Sequence, residues 1–403
     1  MVKVITDSEK IKEAIERGVE EIYPSKEEFE KKLKSGKRIR LYLGVDPTGF
    51  DLHIGHSVQL KKLKQFQDLG HEVILLIGDF TGLIGDPSGK DKVRNQLTRE
   101  QVLANAKDYQ RQASKILDFK GKNPVKIKYN SKWLSKLNFA DVVELASHFT
   151  VQQMLERDMF EKRMKAKQPI YFHEFLYPLM QGYDSVAMDV DLEVGGSDQM
   201  FNMMAGRELM KDMKKKEKFV LTTKLLEDSK GVKIGKTAGN AIAICAEPND
   251  LYGKVMTLGD DVILKTFELC TDMPMEKIAA MHKQLENSEN PRNLKAKLAY
   301  EIVELYNGED AAKEAEEEFD KVFKEKDKPT DVPEIKVKKN KYPPLDLLMD
   351  LKLVASKSEA KRVIEQGGFK INDKKITDWK KSVKLNDNDL LRVGKRKFLK
   401  IKV

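Results

Sequence analysis

LYLGVDPTGFDLHIGH, residues 41–56, decides how this chain is read. The apolar run Ile39 to Val45 has strand character. The chain then turns through Asp46-Pro47-Thr48-Gly49 and enters a helix near His53. That helix continues through Val58, Leu60, Leu63 and Phe66 and stops at Gly70. Strand, glycine-containing turn and helix in this order open a nucleotide-binding α/β sheet. A second strand, Val73 to Gly78, follows. It is apolar on both faces, which predicts an interior parallel position.

Within the stretch, His53 and His56 stand three residues apart and share one helix face. Gly55 between them has no side chain, so a flat ring could approach the backbone there. The helix N-terminus favours an anion. Two helical histidines also suit an ordinary surface. No cysteine or third histidine follows at ligand spacing, so a zinc site is not indicated.

The chain has 403 residues, enough for two or three domains. Hydrophobic residues make up 40%, sufficient for a sizeable core, and charged residues 34%. No apolar run reaches membrane-spanning length, and no signal-peptide core is seen at the N-terminus. The two cysteines, Cys245 and Cys270, form no CxxC, which fits a reducing, cytoplasmic location. The net charge of +9 is unevenly placed: residues 336–403 hold 20 Lys and Arg against 8 Asp and Glu, which leaves the first 335 residues at −3. A polyanion partner is therefore expected at the C-terminal end, nucleic acid above all. A solubilising lysine-rich face is the plainer alternative.

Four more segments carry chemistry. Asp79 to Lys90, DFTGLIGDPSGK, is a glycine-rich loop at a strand's carboxyl end, where ligands sit in open α/β sheets. Its Gly and Lys spacing is not that of a P-loop. Asp86 on this tight loop suits a cation, or is simply a turn aspartate before proline. In a helix running past Pro178, Tyr177, Gln181 and Asp184 fall at i, i+4 and i+7 on one face. They read either as the wet face of an ordinary amphipathic helix or as a polar-lined pocket, with Tyr177 and Gln181 toward an ammonium and Asp184 toward a hydroxyl. Val190 to Gln199 reads as a strand ending in Gly-Gly, then a helix with Ser197 or Asp198 as N-cap. Lys233-Ile234-Gly235-Lys236-Thr237 sets two lysines three apart before a hydroxyl, a cationic clamp for a polyphosphate.

The rest reads as support. One or two amphipathic helices are expected in residues 1–38, a helix over 99–119, a strand over 125–129 and helix over 138–167. Charged helices fill 250–325. Residues 324–344 are rich in Lys and Pro and read as a linker. A Ser-led helix, capped by Ser356 or Ser358, then runs to Gly367-Gly368 and is followed by a strand at Phe369 to Asn372.

Taken together, D-P-T-x-x-x-L-H-x-G-H resembles the first signature of class I aminoacyl-tRNA synthetases. Tyr42 and Y-x-x-x-Q-x-x-D at 177–184 resemble the tyrosyl branch. The K-x-G-K-T segment departs from the common K-M-S-K-S form but is familiar in that branch. The tail resembles the S4 RNA-binding domain of its bacterial-type members. The resemblance covers nearly the whole chain, with the motifs in family order.

It implies a Rossmann-like parallel-sheet α/β catalytic domain at 1–225 and a clamp loop with α-helical domain at 226–328. A linker at 329–344 and a small α+β S4-like domain at 345–403 would follow. It implies L-tyrosine, ATP and tRNA(Tyr) as partners, Mg²⁺ accompanying ATP without a dedicated protein metal site, and a homodimer in contact through the region between the two halves of the catalytic fold. Thr48 and His53 would meet the reacting phosphate and leaving group, with Lys233, Lys236 and Thr237 on pyrophosphate. Gly44, Asp46, Gly55, His56, Gly196, Asp198 and Lys236 would hold ATP. Tyr42, Asp86, Tyr177, Gln181, Asp184 and Gln199 would hold tyrosine, the phenol lying between Tyr42 and Asp184. Lys357, Lys361, Arg362 and Lys370 would meet RNA phosphates. A tryptophanyl relative is disfavoured by Asp184 and the S4-like tail. A catalytically idle RNA-binding relative is disfavoured by the intact His53, His56, Lys233, Lys236 and Asp86.

Overall fold

Strand β2 (Arg40–Val45) lies at the middle of a six-stranded sheet, and its neighbours explain the position of the site. In a computed structural model, residues 2–47, 52–86, 98–228, 230–234, 240–287, 290–323, 334–337, 340–351, 353–354, 356–372, 374–394 and 397–402 are described. The sheet contains β1 (Val19–Tyr23), β2, β3 (Glu72–Ile77), β4 (Lys126–Tyr129), β5 (Leu192–Gly196) and β6 (Phe219–Thr223). Their order is β1-β6-β5-β2-β3-β4. All pairs are parallel except β1 with β6. Chain order reverses between β2 and β5, so a crevice opens at their carboxyl ends.

β3 is apolar because both its faces are covered. Val73, Ile74, Leu75, Leu76 and Ile77 are all buried. Burying five such side chains contributes on the order of 10 kcal/mol before ordering entropy is subtracted. The helix Ile54–Asp68 follows β2 and packs Leu60, Leu63 and Phe66 into the same core. The helices His173–Met188 and Met200–Lys214 cross closely. A Cβ at Gly182 would lie 2.9 Å from Leu209 Cδ1 and 3.2 Å from the Gly206 nitrogen, so only glycine fits there.

Several expectations change. Residues 1–38 form two helices, Ser8–Glu16 and Lys26–Lys34, but β1 lies between them. The helix expected over 99–119 ends at Ala113. The run expected over 138–167 breaks into Phe139–Ser147, Val151–Leu155 and Asp158–Lys165. Asn138 and Thr150 each cap a new start with a side-chain oxygen, which favours a break over continuation.

Contacts divide the chain into two compact units, Met1–Glu316 and Glu317–Val403. Most of the helical region expected to stand apart from residue 226 packs within the first. There, Arg17 donates to the carbonyls of Glu268 and Thr271, and Lys115 to that of Tyr306. In the second unit, β7 (Glu334–Lys336), β8 (Lys341–Tyr342), β9 (Phe369–Ile371), β10 (Lys374–Lys375), β11 (Val383–Lys384), β12 (Leu390–Val393) and β13 (Lys397–Lys402) form two sheets. β7 runs parallel to β13, and β8 pairs with β11. Part of the expected 329–344 linker is thus built into these sheets. The core gathers Leu347, Leu348, Ile364, Phe369, Leu391 and Ile401. Ser356, not Ser358, caps the helix Lys357–Glu365.

Candidate active site

The motif segments after β2, β3, β5 and β6, with the helix His173–Met188 that precedes β5, border one cavity of about 710 Å³. Tyr42, Asp46, His53, Asp184, Gln199 and Lys233 line it, with Gly44, Gly55, His56, Asp86, Gly196 and Asp198 around them. Tyr177 and Gln181 line it too, so the three-residue stripe on the His173–Met188 helix does face one space.

Asp184 is 3% exposed. Trp133 Nε1 donates to its Oδ1 at 2.7 Å and Asn130 Nδ2 to its Oδ2 at 3.3 Å. Burial raises its carboxyl well above the usual range; the two hydrogen bonds oppose this, while Glu193 and Asp46 reinforce it. Tyr42 is fully buried, and its hydroxyl lies 2.9 Å from Ser185 Oγ. Burial, then the charges of Glu193 and Asp184, raise its phenol.

Asp46 ties two elements to the end of β2. Thr81 donates to its Oδ1 at 2.7 Å and the Tyr177 hydroxyl to its Oδ2 at 2.9 Å. A Cβ at Gly78 would sit 2.0 Å from Asp46 Oδ1, so this close approach requires glycine. Asp86 and Gln199 meet directly: Gln199 Nε2 donates to Asp86 Oδ2 at 2.7 Å. Asn202 Nδ2 donates to Gln199 Oε1 at 3.0 Å.

His53 is the N-cap of the Ile54–Asp68 helix, not a member of its face. Its Nδ1 accepts from the Gly55 nitrogen at 3.1 Å, and His56 Nδ1 accepts from the His53 nitrogen at 3.2 Å. The rings stack with centroids 3.7 Å apart. Since Nδ1 accepts in both, each neutral ring carries its proton on Nε2. A Cβ at Gly55 would lie 3.0 Å from His53 Nδ1 and 3.1 Å from the Ile234 carbonyl. The glycine makes room for the histidine cap and a neighbouring segment, and it lines the cavity.

Ser197 and Asp198 do not cap a helix. They form a short 3₁₀ turn, and the Met200–Lys214 helix begins without a side-chain cap. The Asp198 carboxylate instead pairs with Lys233 Nζ at 3.1 Å. A Cβ at Gly196 would meet Asp198 Oδ1 at 2.6 Å. Lys233 is held by a turn in which Asp228 Oδ1 accepts from the nitrogens of Lys230 and Val232. Thr48, Lys236 and Thr237 lie outside the described residues.

In the second unit, Lys357, Lys361 and Arg362 are exposed on one helix and Lys370 is half-buried on β9. Lys361 Nζ lies 5.2 Å from the Trp379 ring centre. Sequence reading missed Asn130, Trp133, Ser185, Glu193 and Lys218. One signal was available: Glu193 and Lys218 are charged residues in or beside otherwise apolar strands, where burial demands an opposite charge.

The fold and the clustered signatures define a class I tRNA synthetase. Residues 34–324 match the family of tRNA synthetases class I (W and Y), and residues 324–401 match the tyrosine–tRNA ligase SYY-like C-terminal domain. The tyrosine–tRNA ligase of Carboxydothermus hydrogenoformans is 49% identical over 402 residues, covering 96% of this chain and 97% of the relative. That of Thermotoga maritima is 45% identical, covering 98% of both chains. The C-terminally truncated mitochondrial tyrosyl-tRNA synthetase of Aspergillus nidulans superposes with a TM-score of 0.65 at 25% identity, covering 78% of this chain and 94% of that one. The chain belongs to the bacterial-type tyrosine–tRNA ligases.

Proposed function

We propose that this chain activates L-tyrosine with ATP and transfers it to the 3′ end of tRNA(Tyr). A tyrosine carboxylate oxygen attacks the α-phosphorus, and the bond to pyrophosphate breaks. The terminal adenosine hydroxyl of the tRNA then attacks the tyrosyl carbonyl carbon, loses its proton, and AMP leaves. Neither step needs a covalent enzyme intermediate. Catalysis rests on positioning and charge stabilisation of an in-line displacement.

The observation that carries the reading is Asp184, a buried carboxyl on the wall of the same cavity as His53 and His56. A phenol carries an O–H at the tip of a six-membered ring, which Asp184 can accept beside its Trp133 and Asn130 donors; a bare phenyl ring has no donor, and an indole N–H lies on the side of a wider ring system. Asp86, Tyr177, Gln181 and Gln199 take the rest of the amino acid. Gly44, Asp46, Gly55, His56, Gly196 and Asp198 take ATP, which brings Mg²⁺ as its counter-ion. Thr48 and the Nε2–H of His53 meet the reacting phosphate. Lys233 leaves Asp198 for the pyrophosphate, joined by Lys236 and Thr237. Lys357, Lys361, Arg362 and Lys370 bind tRNA phosphates.

We assign residues 1–225 and 226–328 as catalytic and clamp-and-helical portions, and residues 345–403, together with the strands β7 and β8 that join its sheets, as the RNA-binding portion. The homodimer reading is supported by exposed Phe139, Val143, Val151 and Phe172, all in the region between the two halves of the sheet. Among the described residues no helix is long and apolar enough to cross a membrane. A cytoplasmic enzyme fits the free thiols of Cys245 and Cys270. ATP–pyrophosphate exchange run with tyrosine, tryptophan and phenylalanine tests the proposal. Exchange with tyrosine alone is expected; exchange with tryptophan overturns the pocket assignment, and none with any overturns the activity.

A further inference from the structure

At the back of the cavity lies a charged pair that the reaction does not itself require. Lys218 is 0% exposed and Glu193 2%. Lys218 Nζ donates to Glu193 Oε2, to Ser185 Oγ at 2.9 Å and to the Met203 carbonyl at 3.1 Å. An ammonium has three N–H bonds, and here each has one acceptor. The pair is therefore a buried ammonium and carboxylate. Burying two charges costs desolvation energy that only close geometry and satisfied hydrogen bonds offset, so the pair adds little to stability by itself.

Two arms lead from the pair to the cavity. Gln181 Nε2 donates to Glu193 Oε1 at 3.0 Å. A carboxylate only accepts, so it fixes the Gln181 amide with its nitrogen turned inward. The Gln181 carbonyl oxygen is left as the atom to accept from a ligand. The second arm is Ser185, which receives Lys218 and lies 2.9 Å from the Tyr42 hydroxyl. A third element makes room: a Cβ at Gly206 would lie 2.5 Å from Lys218 Nζ and 2.8 Å from Ser185 Oγ. Helix, strand and helix thus converge on one buried charge pair.

We propose that Glu193 and Lys218 are positioning residues that set the polarity of the amino-acid pocket. They hold Gln181 with its acceptor toward the substrate's ammonium, and they anchor Tyr42 through Ser185. The inference rests on the tyrosine-activation reading. It adds that the orientation of one amide, imposed from behind, decides how strongly the ammonium is held.

Glu193→Gln tests it in the full chain. Lys218 still needs an acceptor, so the new amide turns its oxygen to Lys218 and its nitrogen to Gln181. Gln181 must then flip and present its NH₂ to the ammonium. In pyrophosphate exchange, the KM for tyrosine is expected to rise at least tenfold, with the KM for ATP changed less than twofold. Binding of 3-(4-hydroxyphenyl)propionate, which lacks the ammonium, stays within twofold. Adding Gln181→Glu restores an acceptor that also takes the N–H of the new amide at position 193, and the KM for tyrosine returns to within threefold of the parent.

An unchanged KM for tyrosine in a folded Glu193→Gln overturns the proposal. So does a loss shared equally with ATP and the propionate, which marks a structural role. If Glu193→Gln does not fold, the charge-conserving double variant decides by the same threefold recovery. Failure of both to fold assigns the pair to core stability and overturns its positioning role. Absence of tyrosine-dependent exchange in the parent chain removes the underlying reading instead, which separates the two failures.

Discussion

Trp133 Nε1 donates to Asp184 Oδ1 at 2.7 Å, although the two residues stand 51 positions apart on separate helices. The helix Ser131–Leu134 follows β4, whereas Asp184 lies in the long helix before β5. The indole orients a carboxyl whose proton affinity burial has raised. Such a group favours folding below its unfolded pKa, and this contribution is lost as pH rises through the higher folded value. Asp184→Asn carries no such cost. Its stability relative to the parent is expected to increase between pH 5 and pH 8 in urea titrations, while tyrosine activation falls at least tenfold. A variant that weakens relative to the parent as pH rises refutes the assignment.

His53 caps its helix, and the donor duty proposed for it is separable from that. Asn is an effective N-cap, so His53→Asn is expected to keep stability within about 1 kcal/mol. The Nε2–H is lost. If it acts on developing charge, kcat for activation falls roughly a hundredfold with little change in the KM for tyrosine. Single-turnover adenylate formation measures this, and a pure KM effect contradicts it.

Gly78→Ala places a methyl where Asp46 Oδ1 and Thr81 Oγ1 now sit. Overpacking of this kind costs about 1–3 kcal/mol. The displaced carboxylate would release the Tyr177 hydroxyl it accepts. Thermal unfolding should show the stability loss and exchange assays a larger loss of activity. Full activity in a destabilised variant argues against a role for Asp46.

His71 is buried, and burial, aided by the Arg38 charge, pulls its imidazole down to about 4. The neutral ring is favoured in the folded state. Its stabilisation is present above the unfolded value near 6.5 and is lost as pH falls toward 4, roughly 3 kcal/mol in all. The difference in unfolding free energy between pH 7 and pH 4.5 should shrink in His71→Asn. An equal difference in both proteins excludes this histidine as its source.

The basic helix of the second unit should act through phosphates. Removing Lys357 and Arg362 together, each by Gln, is expected to weaken tRNA binding and lower the salt slope by about one per residue. Tyrosine-dependent exchange, which needs no tRNA, stays unchanged. Filter binding across salt concentrations reads both terms.

The parts legible in the sequence were those whose cause is local. An apolar run followed by a glycine turn marks a strand end, so β2, β3 and β5 and the segments after them could be placed. The stripe of Tyr177, Gln181 and Asp184 was legible because helical spacing alone aligns it. What escaped were pairings across distance. β1 is short and carries two exposed glutamates; it is a strand because β6, about two hundred residues later, offers an edge. Trp133 and Asn130 gain their meaning only from Asp184. The N-cap expected of Ser197 or Asp198 failed because residues 197–199 wind into a 3₁₀ turn and the helix begins only at Met200.

The close crossing at Gly182 and Gly206 has a consequence for how this molecule can change. One helix carries Tyr177, Gln181 and Asp184 on the cavity wall, and the other covers the charged pair behind them. With no side chain between their backbones, neither can slide or rotate to accommodate a different ligand. Selectivity is consequently written in side-chain identity, not in helix placement. A shift to another amino acid would have to proceed by exchanging residues such as Tyr42, Asn130, Trp133 and Asp184 on an unmoving frame.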